Sequence, residues 1–88
     1  MSYLMELDQK GSMATLLMLM EGEKNITELR EIKGVGLNAL YNALEGLKKI
    51  GLISERTGSH QARLFSLTAK GKKIVLHIKT IYEELAKK

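Results

Sequence analysis

From Leu37 to Ile50, apolar residues return every three or four positions: Leu37, Leu40, Ala43, Leu44, Leu47 and Ile50. That spacing follows the 3.6-residue helical period and gathers all six on one face. The opposite face carries Asn38, Tyr41, Asn42, Glu45, Lys48 and Lys49. Gly51 is a natural stop, because glycine alone enters the left-handed region without steric cost. A merely solvated face is usually built from Lys and Glu. This one opens with two asparagines and a tyrosine, groups that form directed hydrogen bonds.

The rest of the chain must supply the core that this helix covers. With 88 residues and no Pro, it is one domain with one small core. There is no Cys, so disulfides, thiolate nucleophiles and cysteine metal sites are excluded. "SMATLLMLM" at 12–20 predicts a buried helix over about 9–21, capped by Ser12 and stopped near Gly22. Its methionines read as flexible core filler. "NITELREIKG" predicts a short helix with Thr27 as N-cap, an apolar pair in Leu29 and Ile32, and Gly34 as C′ stop. "GVG" at 34–36 makes a tight turn with Val35 inward. Two strand-like runs, 52–56 and 62–67, flank a turn supplied by Gly58 and Ser59, which reads as a β-hairpin over about 52–67. Thr68 caps a last helix over about 69–87. Gly46 costs its helix about 1 kcal/mol relative to Ala; close approach of another backbone is one reason to tolerate it, and chance is another.

The expected order is therefore helix, short helix, tight turn, longer helix, hairpin, helix. Two helices joined by a short turn, the second with a polar face, make a helix-turn-helix, and the hairpin adds a wing. "LYNALEGLKKIGLI" resembles the recognition-helix signature of winged-helix regulators of the MarR and PadR type. These commonly read Leu-Tyr-x-Ala-Leu-x-x-Leu-x-x-x-Gly-Leu-Ile. "RLFSLTAKGKKIV" is similar to the end of their wing and the Leu-Thr-x-x-Gly start of their last helix. The resemblance covers roughly residues 8–80. It implies a mainly α fold with a small β-hairpin, sequence-specific binding of double-stranded DNA, and transcriptional regulation as a homodimer. The family often has Arg at position 42 and Arg or Lys at the wing tip; here stand Asn42 and Ser59, His60 and Gln61.

Elementary chemistry supports the same roles. The major groove is about 12 Å wide and admits one helix. Asn38, Ala39, Tyr41 and Asn42 stand where a reading helix meets base edges, and Asn can bond adenine in bidentate fashion. Glu45 repels phosphate unless it accepts from a cytosine amine. Lys48, Lys49, Arg56, Ser59, His60 and Arg63 are the phosphate and wing candidates. Residues 1–45 hold four basic and seven acidic side chains, net −3; residues 46–73 hold seven basic and one acidic, net +6; the remainder is +1. One third of the chain thus carries the whole positive excess, which suits a polyanion or reflects an uneven soluble surface.

On the last helix Ile74, Ile78, Ile81 and Leu85 form a 4-3-4 stripe widened by Val75 and Tyr82. Leu16, Leu19, Leu29, Val35, Leu40, Leu44, Leu47 and Leu64 can fill the core by themselves. Ile74, Ile78, Ile81, Tyr82 and Leu85 are therefore expected to form a dimer interface. "YLMEL" at 3–7 would add cover, or would fold back and hide the stripe in a monomer. No catalytic constellation, metal spacing or phosphate loop is present, so neither an enzyme nor a cofactor is expected. His60 reads as a solvated turn residue with a pH-sensing alternative. No apolar run is long enough to span a bilayer and no signal peptide is visible, so a cytoplasmic protein without membrane contact is expected. Two other functions stay open: a winged helix used for protein contact, and an architectural DNA binder without sequence choice.

Overall fold

The computed structural model describes residues 2–87, with side chains from Met5 onward. Five helices and three short strands follow the chain: α1 (Ser2–Asp8), α2 (Ser12–Leu19), β1 (Lys24–Asn25), α3 (Ile26–Leu29), α4 (Leu37–Lys49), β2 (Ile53–Thr57), β3 (Arg63–Leu67) and α5 (Ala69–Ala86). The strands form one antiparallel sheet in the order β1-β3-β2. The fold is a winged helix-turn-helix: α3, a turn and α4, followed by the β2–β3 wing.

Local chemistry explains where the elements differ from expectation. The helix expected over about 9–21 is shorter, Ser12–Leu19, and a separate helix, α1, which was not expected, precedes it. Gly11, at φ 88°, separates the two and stands as N-cap of α2 in place of Ser12. A side chain at Gly11 would collide with Val35, which reaches back from the turn before α4. Ser12 and Thr15 are fully buried with hydroxyls that meet no hydrogen-bond partner among the described residues. Thr27 is not the cap of α3. Asn25 is, accepting from the Glu28 amide at 2.8 Å while Glu28 returns a bond from the Asn25 amide at 2.9 Å. This is a reciprocal capping box, written as N-x-x-E in the sequence. α3 ends at Leu29, so Gly34, at φ 79°, bends the following turn rather than stopping that helix. The strand β1 was not expected. Its two residues pair Lys24 with Phe65 and Asn25 with Leu64, and two residues are too short for any periodicity to register.

The core gathers Leu16, Leu19, Leu29, Leu40, Leu44, Leu47, Ile50, Leu52, Ile53, Phe65, Val75 and Ile78. Full burial of a side chain such as Phe65 or Leu44 contributes about 1.5–3 kcal/mol. Leu37 was assigned to the hidden face but is 40% exposed, because α4 begins beyond the edge of the core. Gly46 is buried against side chains, not backbone: Glu6 of α1 and Gln9 just after it pack over it, joined to each other by a 2.9 Å hydrogen bond.

One junction fixes the relation of α4, wing and α5. The Thr68 amide donates to the Leu52 carbonyl at 3.0 Å, and its hydroxyl donates to the Gly51 carbonyl at 2.7 Å. The same hydroxyl accepts from the Gly71 amide at 3.0 Å, capping α5. Gly71 lies directly against the Leu52 backbone, where no Cβ fits.

The stripe on α5 divides at mid-length. Val75 and Ile78 are buried in the domain's own core, and Ile74 packs half-buried against it. Ile78 is therefore unavailable as an exposed interface residue, contrary to expectation. Ile81, Tyr82 and Leu85 continue the stripe but are exposed, Leu85 to 75%, because the 18-residue helix overruns the core. α1 packs against α2 and α4 and leaves these three uncovered. Tyr3 and Leu4, part of the expected extra cover, have side chains outside the described residues.

Gly71→Ala forces backbone apart and is expected to cost about 1–3 kcal/mol, as overpacking does. Gly46→Ala meets only the movable ends of Glu6 and Gln9 and regains about 1 kcal/mol of helix propensity. It should be near neutral. Urea denaturation of the two variants checks the contrast.

Candidate nucleic-acid interface

Helix α4 is aimed outward by the core beneath it. Leu40, Ala43, Leu44 and Leu47 are buried, which turns Asn38, Asn42 and Glu45 to the surface. Asn38 and Asn42 are exposed and stand one turn apart, about 6 Å along the axis. Ala39 is half-buried. Tyr41 is half-buried too, its ring packed against the core and 5.7 Å from the Arg63 guanidinium of the wing. It braces the wing as much as it faces outward. Lys49 is exposed at the far end of α4 and makes no ion pair among the described residues.

The wing pairs Ile53 with Leu67 through Thr57 with Arg63. Its tip is a single 3-10 turn, Ser59–Gln61, closed by the Gly58 amide on the Ala62 carbonyl at 2.7 Å. His60 and Gln61 take the left-handed conformation, at φ 56° and 59°, rather than Gly58. Gly58 serves space instead: a Cβ there would meet Leu64. Ser59, His60 and Gln61 are all exposed.

Three of the four cations expected to meet phosphate are engaged within the protein. Glu55 accepts from Lys48 Nζ at 2.7 Å, from Arg63 Nε at 2.6 Å and from Arg63 Nη2 at 3.0 Å. Glu45 stands 3.0 Å from Lys48 and 3.5 Å from Arg63. The Arg63 guanidinium also lies 5.3 Å from the Phe65 ring. Arg56 binds Glu23 through two nitrogens, at 2.8 and 2.7 Å. The network crosses from α4 to both wing strands and bridges them.

The expectation that Glu45 faces phosphate did not include its pairing with these cations, nor that of Glu55 and Glu23, although the i, i+3 spacing of Glu45 and Lys48 is one local signal. Glu55 is the only acidic residue among 46–73. In the observed register Glu55 sits opposite Phe65 while Arg63 lies two residues before it, so all three share one face of the hairpin. Glu23 is 33 residues from Arg56, and no spacing rule links them.

The bonds from Arg63, then those from Lys48, hold the Glu55 carboxyl at about 2, well below its ordinary 4.5. Glu55 in return raises Lys48, with Glu45 assisting, and raises Arg63. A depressed carboxylate contributes stability that is complete above its unfolded value and is lost as pH falls through its folded one. The window here runs from about 4.5 down to about 2. Glu55→Gln is expected to be less stable than the parent by about 1 kcal/mol near neutrality, since such partly exposed pairs are screened. That gap should narrow as pH falls through this window. Denaturant titrations along an acid series measure it.

No protein-family profile matches the sequence, and no match emerges among curated proteins. Solved structures do match. The transcriptional repressor BigR of Xylella fastidiosa is similar at 27% identity and TM-score 0.75, over 97% of this chain and 84% of that one. A possible HxlR family transcriptional factor of Thermoplasma volcanium is similar at 24% identity and TM-score 0.84, over 94% and 77%. ZitR of Lactococcus lactis is similar at 22% identity and TM-score 0.80. The likeness covers 94% of this chain but 64% of ZitR, just under two thirds of its length. No helix among the described residues is long and apolar enough to cross a membrane. The chain has the winged helix-turn-helix fold of transcriptional regulators, and its likeness extends across several kinds rather than to the MarR or PadR type alone.

Proposed function

We propose that this protein binds double-stranded DNA with sequence preference and regulates transcription as a homodimer. The observation that carries this reading is the pair of exposed asparagines, Asn38 and Asn42, on the outward face of α4 beside the wing. Their amides are short enough to enter the major groove and can donate to and accept from one base edge. Lys49 lies where the helix leaves the groove and phosphates pass. The hydroxyl of Ser59 and the imidazole of His60 sit at the exposed wing tip, within the reach of a neighbouring backbone. Lys48, Arg56 and Arg63 act on phosphates by exchanging a carboxylate for one. The finer MarR or PadR likeness rests on the motifs at 40–53 and 63–75.

The homodimer reading rests on Ile81, Tyr82 and Leu85, which continue a core stripe past the end of the core. A second α5 packed along the first would cover them. The two reading helices would then lie about 34–36 Å apart, and the preferred site would be a pseudo-palindrome.

Selection from random duplex pools tests the DNA reading. The parent should enrich one motif, and Asn42→Ala should relax one position of it, losing roughly 1–3 kcal/mol. A pool that emerges unenriched fits the architectural reading, and no retention of DNA at low salt fits protein docking. An Asn38→Ala, Asn42→Ala double variant with unchanged preference would remove α4 as the reader.

Light scattering tests the dimer. The parent should show twice the 9.9 kDa chain mass at micromolar concentration. The Ile81→Glu, Leu85→Glu variant should be a folded monomer, since neither residue belongs to the core. A monomeric parent ends this reading.

A further inference from the structure

Glu55 occupies the junction between the reading helix and the wing, where the cations of both converge. Its two oxygens take three hydrogen bonds, all from cations: Lys48 of α4 and Arg63 of β3. Glu45, on the outward face of α4, reaches the same two side chains from the other side. Two positive and two negative groups thus form a cluster of zero net charge. Meanwhile Glu23 neutralises Arg56. The most basic third of the chain, net +6 by sequence, therefore presents far less free charge at its reading face.

Non-specific DNA affinity comes almost wholly from cations that displace counterions from phosphates. A carboxylate already bonded to a cation competes with phosphate for the same N–H groups. Lys48 and Arg63 are only partly covered, at 30% and 40% exposure, so a phosphate can approach them. It must displace Glu55 to bond them fully. A duplex that also satisfies Asn38 and Asn42 brings further interactions to that exchange. A random duplex brings phosphates alone.

We infer that Glu55, assisted by Glu45, is a specificity-determining residue that holds Lys48 and Arg63 away from phosphates and so suppresses binding to non-cognate DNA. This rests on the DNA-binding reading above. It differs from a role in which Glu55 orients Arg63 for contact, because the two make opposite demands. A masking acid weakens binding, and its removal strengthens it. An orienting acid strengthens binding, and its removal weakens it.

The test measures affinity for a short duplex of randomised sequence, and for the enriched motif, between about 50 and 200 mM salt. Each cation released to phosphate steepens the slope of log affinity against log salt by about 0.9, so Glu55→Gln should steepen it by up to about 1.8. Random-duplex affinity at about 50 mM should rise roughly tenfold. Preference for the motif over random sequence should shrink. Glu45→Gln should move slope and preference in the same direction by a smaller amount. Its side chain is 61% exposed, so it also stands in should Glu55→Gln fail to fold. Unchanged slope and random-duplex affinity in the variants overturn the inference. Weakened binding by Glu55→Gln to both duplexes overturns it in favour of orientation. If the parent binds no duplex at low salt, a gain of random-duplex binding by Glu55→Gln supports the mask; if neither protein binds any duplex, the DNA reading itself fails and the inference with it.

Discussion

The junction of Gly51, Leu52, Thr68 and Gly71 is the constraint on which the rest of the structure depends. One threonine hydroxyl both closes on the carbonyl that ends α4 and caps the helix that begins α5. Its backbone amide ties β3 to Leu52, where the wing starts. Gly71 lets the α5 backbone reach the Leu52 backbone directly. Reading helix, wing and last helix thus share one rigid origin. The angle between wing and α4 follows from backbone contacts, not from the long charged side chains that later bridge them. Those side chains are partly exposed and contribute little energy each. Their effect is positional, in bringing Glu55 between Lys48 and Arg63.

That placement changes what the charge of the chain means. Counted along the sequence, the third around the wing is a strong polycation. Folded, three of its cations face carboxylates supplied by Glu23, Glu45 and Glu55, two of which come from the acidic half. Long-range attraction to a polyanion is accordingly weaker than the count implies. In the proposed DNA-binding role, each such contact exchanges one anion for another.

The last helix shows how one sequence pattern can serve two ends. A 4-3-4 stripe specifies an apolar seam but not what lies against it. The small domain can cover only the first half, to Ile78. Beyond that point the same seam emerges with Ile81, Tyr82 and Leu85 uncovered, each large enough to favour burial by about 1.5–3 kcal/mol. α1 is engaged elsewhere through its described side chains, with Glu6 over Gly46 and the helix against α2 and α4.

The sequence alone determined α4, the hairpin and α5 nearly to the residue. Each carries a strong local signal: a 3.6-residue apolar period, a turn between β-prone runs, and a Thr cap. It also determined the outward face of α4, since burying Leu40, Leu44 and Leu47 leaves Asn38 and Asn42 no other direction. The Asn25 capping box was equally local, written in two residues three apart, although Thr27 drew the assignment instead. Only the tertiary structure decided the rest. Val35, 24 positions later in the chain, fills the space that a side chain at position 11 would need. The strand β1 exists because β3 offers an unpaired edge. Ile78 belongs to the core because the domain's width ends just beyond it. Glu45 meets Lys48 as a local i, i+3 pair on α4, but Glu55 and Glu23 reach Lys48, Arg63 and Arg56 because folding brings separate elements together. Local patterns fix elements through period and cap; which charges meet across elements depends on how those elements are packed, and for Glu23 and Arg56, 33 residues apart, no spacing along the chain encodes it.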